Sequence, residues 1–347
     1  MAYTTIDDPA QYFNTVLYTG NGSTQSITGV GFQPDWVWNK NRSSARNHYA
    51  TDSVRGAQKT LRQNSTDGES TQSGGVTAFN SDGFSVGSDN VVNESGDSLV
   101  AWNWLAGGSA SSNSDGSITT SVSVNTTAGF SIVSYTGTGS LATVGHGLGV
   151  APKVILYKNR TSDSTDWGMY HTGLASNNAY MSINTTNALS GSTNRFNNTA
   201  PTSSVYTINT HATINESSSN FIAYCFAEKK GYSKFSSYTG NGNADGVFIY
   251  TGFRPAWILI KKTSGTQDWQ LMDTKRDSFN LASRRIEPNN SDAENNDTSY
   301  NNMDILSNGF KFRATGGNTN DDGATYIYMS FAEAPFVNSN GVPCNAR

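Results

Sequence analysis

Long apolar runs are missing from this chain of 347 residues. No stretch approaches the ~18 consecutive apolar residues of a membrane-spanning helix, so no membrane insertion is expected. Charge is scarce too. Asp, Glu, Lys and Arg make up 14% of the residues, against about 25% in an ordinary soluble protein. Lys and Arg number 23, Asp and Glu 27, and the net charge is -4. That balance leaves no basic footprint and excludes nucleic acid as the expected partner. There are two cysteines, Cys225 inside a strand-like segment and Cys344 near the end. Two isolated cysteines make no disulfide framework, so free thiols are expected. Residues 1–8 carry neither a basic region nor an apolar core. No secretory signal is therefore expected, and the chain is expected to be made and folded in a cytoplasm.

The signatures of catalysis and metal binding are also lacking. His48, His146, His171 and His211 are scattered, and none has the spacing of a helical zinc site. One Gly-x-Ser-x-Gly match, Gly83 to Gly87, follows Asp82 and precedes Ser88-Asp89-Asn90. A nucleophile elbow needs a strand before it and a helix after it, so Ser85 reads as a strand residue. The segments 241–246 and 318–323 imitate the start of a calcium loop, but Gly252 or Met329 stands where the closing Glu should be. Asp292, Glu294, Asp297 and Asp304 lie among asparagines in a loop-like stretch. Nothing sets two of them on one strand face as glycoside hydrolysis would require. No catalytic residue, metal ligand or cofactor is expected, and the chain reads as a non-enzyme.

What is present is a threefold repetition. Tyr18-Thr19-Gly20-Asn21-Gly22 returns at Tyr135-Thr136-Gly137-Thr138-Gly139 and at Tyr238-Thr239-Gly240-Asn241-Gly242. Each copy leads to a second block, in which Pro34, Pro152 and Pro255 follow the tyrosine by 16, 17 and 17 residues. A repeat of about one hundred residues suits a whole small folding unit rather than a solenoid turn. Period-2 alternation is the main local signal, as in Val100–Trp104, Ile222–Phe226 and Ile327–Phe331. Asp82-Gly83 and Asn308-Gly309 are hairpin-turn dipeptides that open a middle strand in copies one and three. The expected fold class is all-β, with three repeated antiparallel β-sandwich domains of jelly-roll or lectin-like type.

The domain boundaries follow from composition. Repeat one is expected over 1–106, repeat two over 122–229 and repeat three over 230–334. Residues 107–121 are rich in Gly and Ser and read as a linker. Residues 335–347 read as an irregular tail. Repeat one is therefore expected to stand apart, with repeats two and three close-packed across Glu228–Tyr232.

Three shared positions invite a functional reading. Lys40, Lys158 and Lys261 end the strand that follows each proline. They are expected to lay their stems on the core and their ammonium groups in water. Asp52-Ser53-Val54-Arg55 matches Asp273-Thr274-Lys275-Arg276 and reads as a turn with a salt bridge. Copy two has His171-Thr172-Gly173-Leu174 instead. Asp166-Trp167 matches Asp268-Trp269, while copy one has Asn47-His48. Asn177, Asn178, Tyr180 and residues 286–302 are loop candidates for contact with a ligand; the receptor-binding residues are not fixed by the sequence.

These blocks, with the ending Gly341-Val342-Pro343-Cys344, resemble a repeat in virion proteins of tailed bacteriophages, notably marine ones. The resemblance covers nearly the whole chain. It implies a structural, fibre-like or receptor-facing virion component with lectin-like β-sandwich domains and no transferable catalytic residues. A tail fibre or tail-associated appendage that engages the host surface is the leading expectation. A capsid decoration or head-fibre protein and a glycan-degrading virion enzyme are the alternatives. Expected partners are other virion proteins, further copies in a homotrimer, and a host surface glycan or protein. The expected location is the particle surface, after assembly in the host cytoplasm.

Overall fold

The computed structural model describes residues 2–298 and 301–345. It is nearly all-β, built from antiparallel sheets. No helix among the described residues is long and apolar enough to cross a membrane. The three repeats follow one plan. In each, the closing strand lies between the opening strand and the strand that follows the proline. Ser98–Trp104 lies between Phe13–Thr19 and Trp36–Asn41. Asn220–Phe226 lies between Phe130–Thr136 and Val154–Asn159. Thr325–Pro335 lies between Ser233–Thr239 and Phe253–Lys262. Even the register repeats: Trp36 faces Trp104, Val154 faces Phe226, and Trp257 faces Phe331.

A smaller sheet covers one face of each main sheet. Gln25–Thr28, Gly83–Val86 and Val76–Asn80 form the first. Ala142–Gly145 with Val205–Ile208 forms the second. Phe248–Tyr250, Gly309–Phe312 and Met303–Leu306 form the third. The expected hairpin turns are present, with Asn80 opposite Gly83 and Leu306 opposite Gly309.

The strands after the prolines show why these repeats cannot stand alone. Successive strand residues point to opposite faces, yet every residue of Trp36–Asn41 and Val154–Asn159 is buried. Both faces are therefore covered. Val37 packs outward with Ile27, Phe84 and Val86 of the small sheet. Trp36 and Trp38 pack inward, into a core that also takes Leu156, Trp167 and Tyr224 of repeat two and Trp257, Leu259 and Trp269 of repeat three. Trp36 stacks on Trp104 at 4.4 Å and on Tyr224 at 4.3 Å. Trp104 meets Trp257 edge-on at 5.7 Å, and Phe226 meets Phe331 at 5.8 Å. Each such ring stabilises the core by ~1.5–3 kcal/mol from burial alone.

Repeat one is thus not separate, which corrects the expectation drawn from its Gly/Ser-rich junction. Residues 107–121 are not a free linker either. Ser111–Asn113 pairs with Thr120–Val122 as an added strand of the second main sheet. The backbone N–H groups of Ala106 and Gly108 donate to Asp35 Oδ2 at 2.8 and 3.2 Å, and Gly107 N–H donates to Ser123 Oγ. Ile118 is buried in the core of repeat two. The glycines serve close approach: a Cβ on Gly116 would lie 2.4 Å from the Thr143 carbonyl oxygen. Backbone hydrogen bonds hold a segment whose side chains have little area to bury. The last strand runs through Pro335, one residue past the expected end of repeat three. The tail beyond it contains a turn and a single bridge, Val337 to Pro343.

Candidate functional site

The inward faces of the main sheets meet at three seams, and the same contacts recur at each in cyclic order. The lysines make the first set. Lys158 Nζ donates to the Thr66 carbonyl of repeat one at 2.9 Å. Lys261 Nζ donates to the Thr186 carbonyl of repeat two at 3.1 Å. Lys40 Nζ donates to the Ser291 carbonyl of repeat three at 3.0 Å. All three are fully buried. The expectation that their ammonium groups face water is therefore wrong. A neighbouring repeat closes over each strand end and supplies carbonyl oxygens in place of water.

The aromatic position makes the second set. Trp167 Nε1 donates to the Arg62 carbonyl at 2.8 Å, and Trp269 Nε1 donates to the Ser182 carbonyl at 3.1 Å. Asn184 and Asn289 accept the backbone N–H of these tryptophans and donate to Asp166 and Asp268. In repeat one, Asn64 accepts from His48 N–H and donates to Asn47. His48 thus replaces the tryptophan within an unchanged turn. Its Nδ1 accepts from Trp38 Nε1 at 3.0 Å, which leaves its proton on Nε2. Burial, then the Lys40 charge, hold this imidazole neutral, well below its ordinary pKa.

The third set breaks the symmetry. At the seam of repeats one and two, Arg55 Nε donates to Asp52 at 2.5 Å, Arg55 also reaches Glu69, and Arg160 grips Glu69 with two bonds. Tyr224 donates to Asp52 at 2.7 Å. At the seam of repeats three and one, Arg276 holds Asp273 and Glu294, Arg42 grips Glu294, and Trp102 Nε1 donates to Asp273. Burial works against the charge of Glu69 and Glu294, but the arginines outweigh it and hold both below the ordinary carboxylate value. At the seam of repeats two and three, the corresponding positions hold His171, Leu174, Leu189, Thr263 and Met329. The backbone bond survives there, with Leu189 N–H donating to the Thr263 carbonyl at 2.9 Å. The side-chain charges do not. His171 accepts from Gly173 N–H on Nδ1, faces the Tyr328 carbonyl with Nε2, and is pushed by burial down to about 4.

A cleft of about 330 Å³ opens at this seam, between Gly173, Leu174, Ala175 and Leu189 of repeat two and Ser237, Tyr238, Thr239, Thr263, Thr325 and Tyr326 of repeat three. No charged residue lines it. Thr263 stands where Arg160 stands in the preceding repeat, and Arg160 there reaches Ser134, the counterpart of Ser237. A comparable cleft of about 350 Å³ lies over the counterpart positions Ser134, Tyr135, Thr136 and Asn220 of repeat two, bounded by Ser112, Thr119, Thr120 and Ser121 of the same repeat and not by a neighbouring one. The sequence shows the loss of charge at positions 171 and 174 but not the cleft beside them. Only the turn and the Asp–Arg ion pair were legible.

The remaining candidates resolve into structural parts. Ser85 lies in a strand and bonds to Ser26 and Asn80. His146 and His211 accept backbone N–H groups on Nδ1. Asp245 pairs with Lys311 and Arg313, and Asp304 with Arg313. No group of three or more potential metal ligands occurs among the described residues. Cys225 is buried and Cys344 half-buried, both as free thiols. Tyr180 lies under the Arg195 guanidinium at 3.6 Å, and Asn177 accepts from Tyr170; neither they nor Asn178 line the cleft. Of residues 286–302, Ser299 and Tyr300 lie outside the described residues, while Glu287, Ser291 and Glu294 serve the seam with repeat one.

One family model, described as a domain of unknown function (DUF7483), matches residues 8–335. The chain belongs to the DUF7483 family. The match spans all three repeats, in keeping with their shared core. No curated protein and no solved structure matches the chain.

The lysines give a pH test of the seams. Burial lowers Lys40, Lys158 and Lys261 to about 8, from an ordinary value of 10.5. Between those values the unfolded chain binds more protons than the folded one, so stability rises with pH across that window. Urea midpoints at pH 7.5 and 9.5 should differ in that direction, and the difference should shrink in Lys158→Met. A midpoint that falls equally in both proteins would refute the assignment. Above pH 10 buried tyrosines such as Tyr224, raised by burial, oppose the trend.

Proposed function

We propose that this chain is a non-enzymatic structural protein of a bacteriophage virion, placed in a tail fibre or tail-associated appendage and facing the host surface. On this reading each repeat is a jelly-roll or lectin-like β-sandwich, made of a main sheet and its covering sheet. The observation that carries the reading is the closed ring of three repeats around one aromatic core. Such a ring is a rigid body with three similar outward faces, and rigid scaffolds that present polar loops suit binding rather than turnover. The low charge and the uncharged polarity favour an exposed life on a particle.

A head fibre that projects from an anchoring first repeat would use residues 107–121 as a hinge. Those residues are built into a sheet, which favours the tail reading. Glycan degradation needs two carboxyl groups free to act. Glu69, Glu294, Asp52 and Asp273 are engaged by arginines, which favours a structural role for them.

The expected homotrimer becomes a question of what the ring supports. Virion appendages are commonly symmetric, and three seams are already closed inside this one chain. A single copy seated on a threefold-symmetric partner is an arrangement the ring favours, with three copies side by side as the competing one. Light scattering on purified protein distinguishes the mass of one chain from that of three. Immunogold labelling of intact virions tests the placement: label at the tail is expected, and label confined to the head would overturn it.

A further inference from the structure

We infer that the cleft between repeats two and three is a binding site for a neutral saccharide. The inference rests on the receptor-facing reading for its biological sense, but its chemistry is local. The cleft lies at the seam where the ion cluster of Asp, Arg, Glu and Arg is replaced as a set. His171, Leu174, Leu189 and Thr263 stand in its place. A seam that served packing alone could keep the cluster that the other two retain.

The lining selects the ligand class. At about 330 Å³ the space lies near the small end of ligand sites, which run from ~300 to 1,000 Å³. Its walls mix hydroxyls with apolar carbon. Ser237 and Thr239 have no side-chain hydrogen-bond partner among the described residues, so their hydroxyls are available to donate and accept. Thr263 and Thr325 are already paired with each other at 2.7 Å, with Thr263 also donating to the Thr325 carbonyl, and give a fixed polar rim. Leu174 and Leu189 offer apolar surface from the other side. Tyr238 and Tyr326 pair across the two strands that floor the cleft; their rings stack at 4.9 Å on the opposite face, against the covering sheet, with hydroxyls tied to the Thr319 and Gly317 carbonyls, so this floor is rigid before any ligand arrives. A prebuilt floor spares a ligand the cost of ordering it.

A sugar ring matches such walls, because it carries hydroxyls at its rim and C–H groups on its faces. An acidic sugar would lose hydration without gaining a cationic partner. A lipid chain would leave the hydroxyls unpaired.

The test is a titration of the full chain with glucose, galactose, mannose, N-acetylglucosamine, their short oligomers and glucuronic acid, read by saturation-transfer NMR. Saturable binding of at least one neutral sugar is expected, with glucuronic acid weaker by about tenfold or more. Two variants locate the site. Ser237→Trp places a bulky ring at an exposed position of the rim. The pair Leu189→Glu with Thr263→Arg restores residues that the other seams carry. Both should abolish binding while the melting temperature of Ser237→Trp stays that of the parent chain. If no neutral sugar binds, or if binding persists in Ser237→Trp, the inference is overturned. Either result leaves the placement on the virion to be decided by the labelling experiment, so the two readings fail separately.

Discussion

Arg55→Leu is expected to destabilise the folded chain by ~3–5 kcal/mol, because it strands a buried carboxylate. Asp52 and Arg55 have fully buried side chains and meet at 2.5 Å. Without the guanidinium, Asp52 keeps the Tyr224 hydroxyl and the Arg55 backbone N–H but no countercharge. Glu69 would lose one of its two arginines. The companion experiment replaces the whole set by what the seam of repeats two and three already uses: Asp52→His, Arg55→Leu, Glu69→Leu, Arg160→Thr and Tyr224→Met. Removing every charge together leaves none uncompensated, and neutral packing in place of a buried ion cluster is often tolerated. The fivefold variant is therefore expected to be more stable than Arg55→Leu alone, in clear breach of additivity. Urea unfolding followed by tryptophan fluorescence measures both. If the single change costs under about 1 kcal/mol, or if the set costs the sum of its parts, the seams are not interchangeable modules.

Trp36→Ala should cost ~3–5 kcal/mol and should weaken the whole chain, not one repeat. The indole is buried to 2% exposure and touches repeat two through Phe130, Tyr224 and Phe226. Its neighbour Trp104 carries the contact on to Trp257 of repeat three. A cavity at this point loosens all three sheets. Calorimetry of the parent chain should show one cooperative transition, and the variant should show the same single transition at lower temperature. A separate early transition belonging to residues 1–106 would mean that the shared core contributes little to repeat one.

How much of this was legible in the sequence differs by level. The closing strands were readable because Val100–Trp104 and its counterparts alternate with period 2, and the middle strands because Asp-Gly and Asn-Gly force a turn. The Asp52–Arg55 ion pair was readable because three residues of a turn bring both ends together. The lysines were misread for a physical reason. A strand-end position tells which face a side chain shares, not what will lie over it, and the covering group comes from a repeat more than seventy residues away. The Gly/Ser-rich junction misled in the same way. Composition reports how little apolar area a segment offers, while its hydrogen bonds to Asp35 and to Thr120–Val122 depend on a sheet built elsewhere.

The sequence by itself determined the local and the repeated: the three copies, the strand alternation, the turns, and the loss of charge in copy two. Each of these depends on neighbours along the chain, which the sequence states directly. Tertiary structure decided the rest. It decided that the inward faces meet in one core, that each lysine is closed over by the preceding repeat in cyclic order, and that an uncharged cleft lies between repeats two and three. Those facts depend on which faces are covered by distant segments, and period-2 alternation carries no information about the partner on the other side.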